Sequence, residues 1–132
     1  EIFGGEKVES TGFAFGFDRL VECVRLCGGA KSLPKTVDVY VVPISKELKL
    51  KAFEVAQILR KNSIKTEVDL VGRKLKKILS LANNLQADYV VLVGERDLEE
   101  GKVTVKDMES GKQELVEIES LAQEIKELLK AD

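Results

Sequence analysis

The stretch Ala87–Asp97, with the sequence ADYVVLVGERD, constrains the fold of this chain more than any other. Its apolar run, Tyr89–Val93, is short, rich in valine and followed by Gly94 and three charged residues. Such a run is typical of a β-strand that is buried on both faces, in the middle of an α/β sheet. Ligands of these sheets bind beyond the carboxyl ends of the strands. We therefore expect a functional site at Gly94–Asp97.

Strand and helix patterns alternate along the chain from residue 37 onward. The predicted strands are Val37–Val42, Thr66–Val71, Tyr89–Val93, Lys102–Asp107 and Gln113–Val116, the last two forming a hairpin around Glu109, Ser110 and Gly111. Apolar stripes with helical spacing run over Leu48–Leu59, Leu75–Leu85 and Ile118–Leu129. Pro43 is expected to end the first strand and Ser45 to cap the following helix. This order predicts an α/β fold, a compact domain with a five-stranded mixed sheet and three helices.

The first 29 residues follow a different pattern. Gly12–Phe17 alternates small and aromatic residues and predicts a strand, after which helical spacing continues up to Gly28. Cys23 and Cys27 lie four residues apart on one face of this helix. We expect both to be buried or half-buried small residues.

These patterns divide the chain into three parts. Residues 1–29 form a strand–helix segment, residues 30–36 are a predicted linker, and residues 37–132 form the α/β domain. Because the sequence begins with Glu1 and not with methionine, we expect it to be a piece of a longer protein.

The composition excludes several kinds of chemistry. The chain has no histidine, which removes histidine bases, Ser–His and Cys–His nucleophile systems, and histidine metal ligands. Its two cysteines are too few for a four-ligand zinc site, and we predict no metal site. No apolar run approaches the ~20 residues of a membrane span, and we expect no signal peptide. We therefore expect a cytoplasmic location and no membrane partner.

Charge is unevenly distributed, although the net charge is only −2. The segment Arg60–Lys77 contains seven basic residues against Glu67 and Asp69. Those opposite the apolar stripe of the second helix are Arg73, Lys74, Lys76 and Lys77. This basic face is either an ordinary solvated surface or a surface that binds the phosphates of a nucleic acid.

The charged end of the central strand also has two interpretations. Glu95 and Asp97 are either loop charges in water or carboxylates that accept hydrogen bonds from the amino and imino groups of bases. In the second case, Gly94 would allow the backbone to turn. Neither GxGxxG nor GxxxxGK occurs, so a small nucleotide-binding module at this edge is the less supported alternative.

Residues 12–20, GFAFGFDRL, resemble motif 3 of the class II aminoacyl-tRNA synthetases and are most similar to the histidyl-tRNA synthetase family. The matching positions are the small residues Gly12, Ala14 and Gly16, the acid Asp18 and the arginine Arg19. The resemblance implies that Arg19 contacts the adenine and triphosphate of ATP and that Gly16 lines the same pocket. Alanine at position 14 and aspartate at position 18 replace the usual glycine and glutamate.

Residues 37–132 resemble the class IIa anticodon-binding domain through VDVYVVP, EVDLVGRKLKKILSLANNL, DYVVLVGERDLEEGKVTVKD and the last helix. The resemblance implies that Asp97, after the third strand, and Lys106, on the next strand, contact anticodon bases. It further implies that three basic residues lie near the anticodon stem-loop, namely Arg73, Lys76 and Lys77.

The resemblance implies a C-terminal part of a histidine-tRNA ligase that binds the anticodon region of tRNA(His). The parent chain would activate histidine with ATP and Mg²⁺, charge the tRNA and form a homodimer. Because motifs 1 and 2 are missing, we expect no aminoacylation by the piece alone and no bound cofactor. The resemblance implies tRNA as the nucleic-acid partner, and we expect no DNA partner. The alternative is a non-catalytic relative that binds protein or structured nucleic acid.

Overall fold

The computed structural model of the chain describes Gly4, residues 11–28 and residues 35–131. The chain divides into two compact units, Glu1–Pro34 and Lys35–Asp132. Residues 29–34, which include most of the predicted linker, lie outside the described part. Among the helices of the described ranges, none combines the length and apolar character needed to cross a membrane.

The described part of the first unit contains one helix, α1 (Phe17–Leu26). Gly28 follows it with φ of 69°, the left-handed conformation that ends many helices. The strand predicted over Gly12–Phe17 is wrong: residues 11–16 are irregular, and no described residue pairs with them. A strand needs hydrogen-bonded neighbours, and alternation alone does not supply them. The expected burial or half-burial of Cys23 and Cys27 is also wrong, because both side chains are exposed.

The second unit is an α/β domain with a single mixed sheet. Its strands are β1 (Val39–Pro43), β2 (Thr66–Val68), β3 (Tyr89–Val93), β4 (Lys102–Asp107) and β5 (Gln113–Glu117). Its helices are α2 (Lys49–Lys61), α3 (Leu75–Asn84), the short α4 (Glu95–Glu99) and α5 (Leu121–Ala131). The sheet order is β2-β1-β3-β4-β5, with β2, β1 and β3 parallel and β4 and β5 antiparallel. The predicted five-stranded mixed sheet is confirmed, and α4 is added to the three predicted helices.

Two apolar layers cover the sheet. On one face, α2 and α5 pack on the odd-numbered residues of the central strands, such as Val41 and Val91, which are fully buried. On the other face, α3 packs Ile78 and Ala82 on even-numbered residues such as Val90. Because α3 covers mainly β1 and β3, the β4–β5 part of this second face stays open, and Leu115 on β5 is 59% exposed. The central strand is thus buried on both faces, as its sequence predicts.

Strand β2 is shorter than predicted, and Pro43 on β1 supplies the reason. The Asp69 N–H donates to the Val41 carbonyl at 2.9 Å, which is the last β1–β2 hydrogen bond. Pro43 is two residues further along β1 and faces the same side, but it has no N–H to continue the ladder. The chain therefore leaves the sheet after Asp69, and Leu70 and Val71 are exposed.

The start of α2 also differs from the prediction. The residue before α2 is Leu48, and no side chain caps this helix. The Ser45 hydroxyl points elsewhere, 3.5 Å from the Glu95 carboxylate.

Candidate nucleic-acid interface

The carboxyl ends of β2, β1 and β3 lie side by side at one edge of the sheet. The chain leaves β1 through α2 on one face and enters β3 through α3 on the other. Such a switch between faces opens a crevice at the carboxyl ends of neighbouring strands. Here the crevice is lined by Ile44, Ser45 and Leu48 after β1 and by residues 94–97 after β3. The sequence predicts a site at this edge, and the structure forms a crevice there.

Helix α4 presents the acidic side of the crevice. Asp97 is half-buried, and its Oδ2 accepts a hydrogen bond of 2.8 Å from the hydroxyl of Thr104 on β4. Glu95 is exposed and lies beside Ser45. Gly94 has φ of −105°, which any residue adopts, so the expected special role of this glycine in turning the chain is wrong.

Lys106 lies on the open part of the sheet face. It is half-buried on β4 and pairs with Val90 and Gln113 across the two neighbouring strands. Thr104 is two residues away on the same strand, and side chains two apart share a face. Asp97 therefore contacts Thr104, which lies on the same strand and the same sheet face as Lys106.

A buried carboxylate organises the loop after β2. Asp69 is 1% exposed and accepts hydrogen bonds from the backbone N–H groups of Gly72, at 2.9 Å, and Arg73, at 3.1 Å. The guanidinium of Arg73 adds an ion pair of 2.5 Å. Burial by itself raises the pKa of Asp69, but these donors outweigh burial, and the pKa lies below its ordinary value. Burial and the nearby Asp69 carboxylate raise the pKa of the Tyr40 hydroxyl.

The turn at Gly72 brings together lysines that the sequence analysis missed. Gly72 has φ of 80°, and a Cβ built on it would lie 3.8–3.9 Å from side-chain atoms of Lys46 and Lys49. We call Lys46, Lys49 and Arg73 the basic corner. Both lysines follow β1, whereas Arg73 follows β2. Only the adjacency of the two strands reveals this cluster, because the residues are distant in sequence.

The first turns of α2 and α3 extend this positive charge. Neither contains an acid, and lysines occupy both, with Lys76 and Lys77 exposed on α3. The N-terminus of a helix already carries partial positive charge, so lysine there is electrostatically unfavourable. A phosphate at either helix start would relieve this repulsion and could accept hydrogen bonds from the backbone N–H groups there.

The two motif 3 residues lie next to each other in the first unit. Gly16 precedes α1, and the aliphatic carbons of Arg19 lie 3.7–3.8 Å from a Cβ built on Gly16. Arg19 is exposed in the first turn of the helix. In the described residues, no group of three or more acids and cysteines is arranged to hold a metal ion.

Comparison with known proteins identifies the domain that carries this edge. A family model described as "Anticodon binding domain" matches residues 38–128. The chain belongs to this family. The anticodon-binding domain accounts for the whole sheet, from β1 to β5, and for most of α5.

The similar sequences and structures are tRNA ligases. The chain is 45% identical over 106 residues to the histidine–tRNA ligase of Pyrococcus furiosus and 44% identical over 108 residues to that of Thermococcus kodakarensis. These matches cover 80% of this chain but only 24% and 25% of the relatives. The crystal structure of histidyl-tRNA synthetase from Nostoc sp. PCC 7120 matches 86% of this chain and 28% of its own, with a TM-score of 0.71 and 30% identity. The chain thus spans about a quarter of the length of these relatives.

Proposed function

We propose that this chain is the C-terminal part of a histidine-tRNA ligase and that its α/β domain holds the anticodon stem-loop of tRNA(His). The observation that carries the proposal is the single edge of the sheet at which acidic and basic groups meet. Asp97 and Glu95 lie at the end of the edge that follows β3, and the basic corner lies at the end that follows β1 and β2. The identity of the relatives and the family membership support tRNA as the ligand.

The two ends of the edge have different roles. Carboxylates accept hydrogen bonds from the donors of unpaired bases, so Asp97 is the first candidate for reading sequence. Lys106, two residues from Thr104 on the same sheet face, is the candidate donor. Lysine and arginine neutralise phosphates whatever the sequence, so Lys76, Lys77 and the basic corner position the RNA backbone. Arg73 contributes mainly by shaping the turn, because Asp69 already binds its guanidinium.

We propose that the parent protein activates histidine with ATP and Mg²⁺ and charges the tRNA in the cytoplasm as a homodimer. Arg19 and Gly16 would contribute to its ATP pocket, which is supported by their adjacency and by the motif 3 resemblance. Purified alone, the chain is expected to show no histidine-dependent pyrophosphate exchange. The similar proteins named above are ligases, so nothing favours the non-catalytic alternative.

The direct test is binding of fluorescent RNA stem-loops to the chain. One stem-loop carries the histidine anticodon, and three others each change one anticodon base. We expect tighter binding of the first, with a preference of about 1–3 kcal/mol at a position that is read directly. Equal affinity for all four stem-loops would falsify sequence reading by this domain.

Substitution of the predicted reader sharpens the test. Asp97→Ala should lower discrimination at one anticodon position and leave the salt dependence of binding unchanged. Glu99→Ala is the matched control, because Glu99 is an exposed acid on the same short helix. Equal loss in both variants would assign the effect to net charge and not to Asp97.

A further inference from the structure

Thr104 occupies a fixed position in the middle of the open sheet face. It lies on β4 between Leu92 of β3 and Leu115 of β5, its partners in the strand register. Its neighbours along the strand, Val103 and Val105, are buried on the opposite face. The Thr104 side chain is therefore held on the same face as Lys106, at a site fixed by strands on both sides.

The Thr104 hydroxyl donates a hydrogen bond of 2.8 Å to Oδ2 of the Asp97 side chain. Asp97 belongs to a helix of only five residues, whereas Thr104 lies on a strand that is paired on both sides. The hydrogen bond ties the carboxylate to the rigid strand. A carboxylate has about four acceptor positions on its two oxygens, so one bond leaves the others for a ligand.

The chemical nature of this partner matters for recognition. A lysine or arginine in place of Thr104 would neutralise Asp97 and compete for it as a charged donor. A hydroxyl orients the carboxylate through one neutral hydrogen bond and leaves its charge in place. Asp97 is then both anchored and able to accept from an incoming N–H group.

We propose that Thr104 is a positioning residue for base recognition. It fixes the Asp97 carboxylate so that the remaining acceptor positions meet the amino or imino donor of one anticodon base. The inference rests on the proposed function and adds to it a residue that acts through Asp97 and not by contact with RNA.

The test uses the full chain with Thr104→Val, which keeps the β-branched shape and removes the donor. With the four stem-loops above, the variant should lose about 3- to 10-fold of discrimination, which corresponds to the net contribution of one typical hydrogen bond. The loss should fall at the anticodon position that Asp97→Ala affects and at no other. Thr104→Ser should restore discrimination, because it returns the hydroxyl.

A second threonine on a strand provides the matched control. Thr66 on β2 is buried, and its hydroxyl donates to the Ile64 carbonyl at 3.0 Å. Strands β1 and β3 separate it from β4. Thr66→Val therefore reports the general effect of removing a hydroxyl from the sheet, and it should not change discrimination. In an Asp97→Ala background, Thr104→Val should have no further effect on discrimination, because the side chain it positions is gone.

Each outcome decides the inference. Unchanged discrimination in Thr104→Val, a loss spread over all anticodon positions, or a loss that persists in the Asp97→Ala background would overturn it and leave the proposed function intact. If the unsubstituted chain binds all four stem-loops equally, sequence reading by this domain and this inference are overturned together. Loss confined to one position and restored by serine is the result we expect.

Discussion

The guanidinium Nη1 of Arg73 lies 2.5 Å from Oδ1 of the buried Asp69. The same carboxylate accepts the backbone N–H groups of Gly72 and Arg73 through its other oxygen. One side chain thus determines the shape of the turn that faces Lys46 and Lys49. Arg73 therefore stabilises this turn through its ion pair with Asp69.

The pKa of Asp69 gives a prediction about pH. Because its folded-state pKa is lowered, its contribution to stability is present above the unfolded pKa, about 3.9, and is lost as pH falls through the folded value. Asp69→Asn should cost about 1–3 kcal/mol of unfolding free energy at pH 7, because the donors lose their charged acceptor. Urea denaturation at pH 7 and at pH 3 measures the unfolding free energy of the unsubstituted chain and of the variant. The difference between the two free energies should be smaller at pH 3. Glu119→Gln, at an exposed acid, is the control, and a difference independent of pH would contradict the prediction.

Substitution by alanine should affect the stability of the domain differently at two glycines of this edge. Gly72 has φ of 80°, and Gly72→Ala should destabilise the domain by about 1 kcal/mol and disturb the basic corner. Gly94 has φ of −105°, and a Cβ there would lie 3.6 Å from Asp97 Oδ2, an ordinary contact. Gly94→Ala should therefore leave the midpoint of thermal unfolding unchanged or slightly raised. The reverse order of the two midpoints would show that the turn is assigned to the wrong glycine.

Helix α2 offers a matched pair of leucines for testing the core. Leu59 is fully buried between α2 and the sheet, whereas Leu50 is 68% exposed on the same helix. Leu59→Ala should cost about 2–5 kcal/mol of unfolding free energy, because apolar burial is reduced and a cavity is left behind. Leu50→Ala should change it by no more than about 0.5 kcal/mol. Urea denaturation of both variants measures the difference, and similar effects would contradict the packing of α2.

The basic corner gives a prediction about salt. Lys46→Ala combined with Lys49→Ala should weaken binding of all the stem-loops alike. The slope of log affinity against log salt concentration should fall by about 0.7 for each phosphate that is no longer neutralised. Fluorescence titrations at several salt concentrations measure this slope. Lys112→Ala combined with Lys130→Ala removes the same charge from exposed positions outside the basic corner, and an equal change in slope there would refute a local role.

The parts of the fold that were predictable are those determined by neighbours in sequence. Strand β3 begins at Tyr89 and ends at Val93, as the valine-rich run predicts, because this run is buried on both faces of the sheet. The β4–β5 hairpin follows from turn residues ending in Gly111, whose φ is 74°. Periodicity locates α2, α3 and α5 because each buries one face on the sheet.

The parts that were not predictable depend on interactions between distant residues. Leu70 and Val71 continue a strand-like pattern, yet they leave the sheet because of a proline on a different strand. Lys46 and Lys49 join Arg73 in the basic corner only because the Gly72 turn lies next to them. The position of Asp97 directly after the central strand predicts it as a site residue. Its partner Thr104 carries no such signal, because it is an ordinary polar position in the alternating pattern of β4.

Pro43 has a consequence beyond the length of β2. A strand that ran on to Val71 would place Asp69 within the ladder and carry Gly72 further from β1. Because Pro43 has no N–H to donate, the residues after Asp69 do not continue the β1–β2 hydrogen bonds. They form instead the turn that lies next to the lysines of the basic corner. The missing N–H on β1 thus permits an irregular turn after β2, and this turn lies next to Lys46 and Lys49.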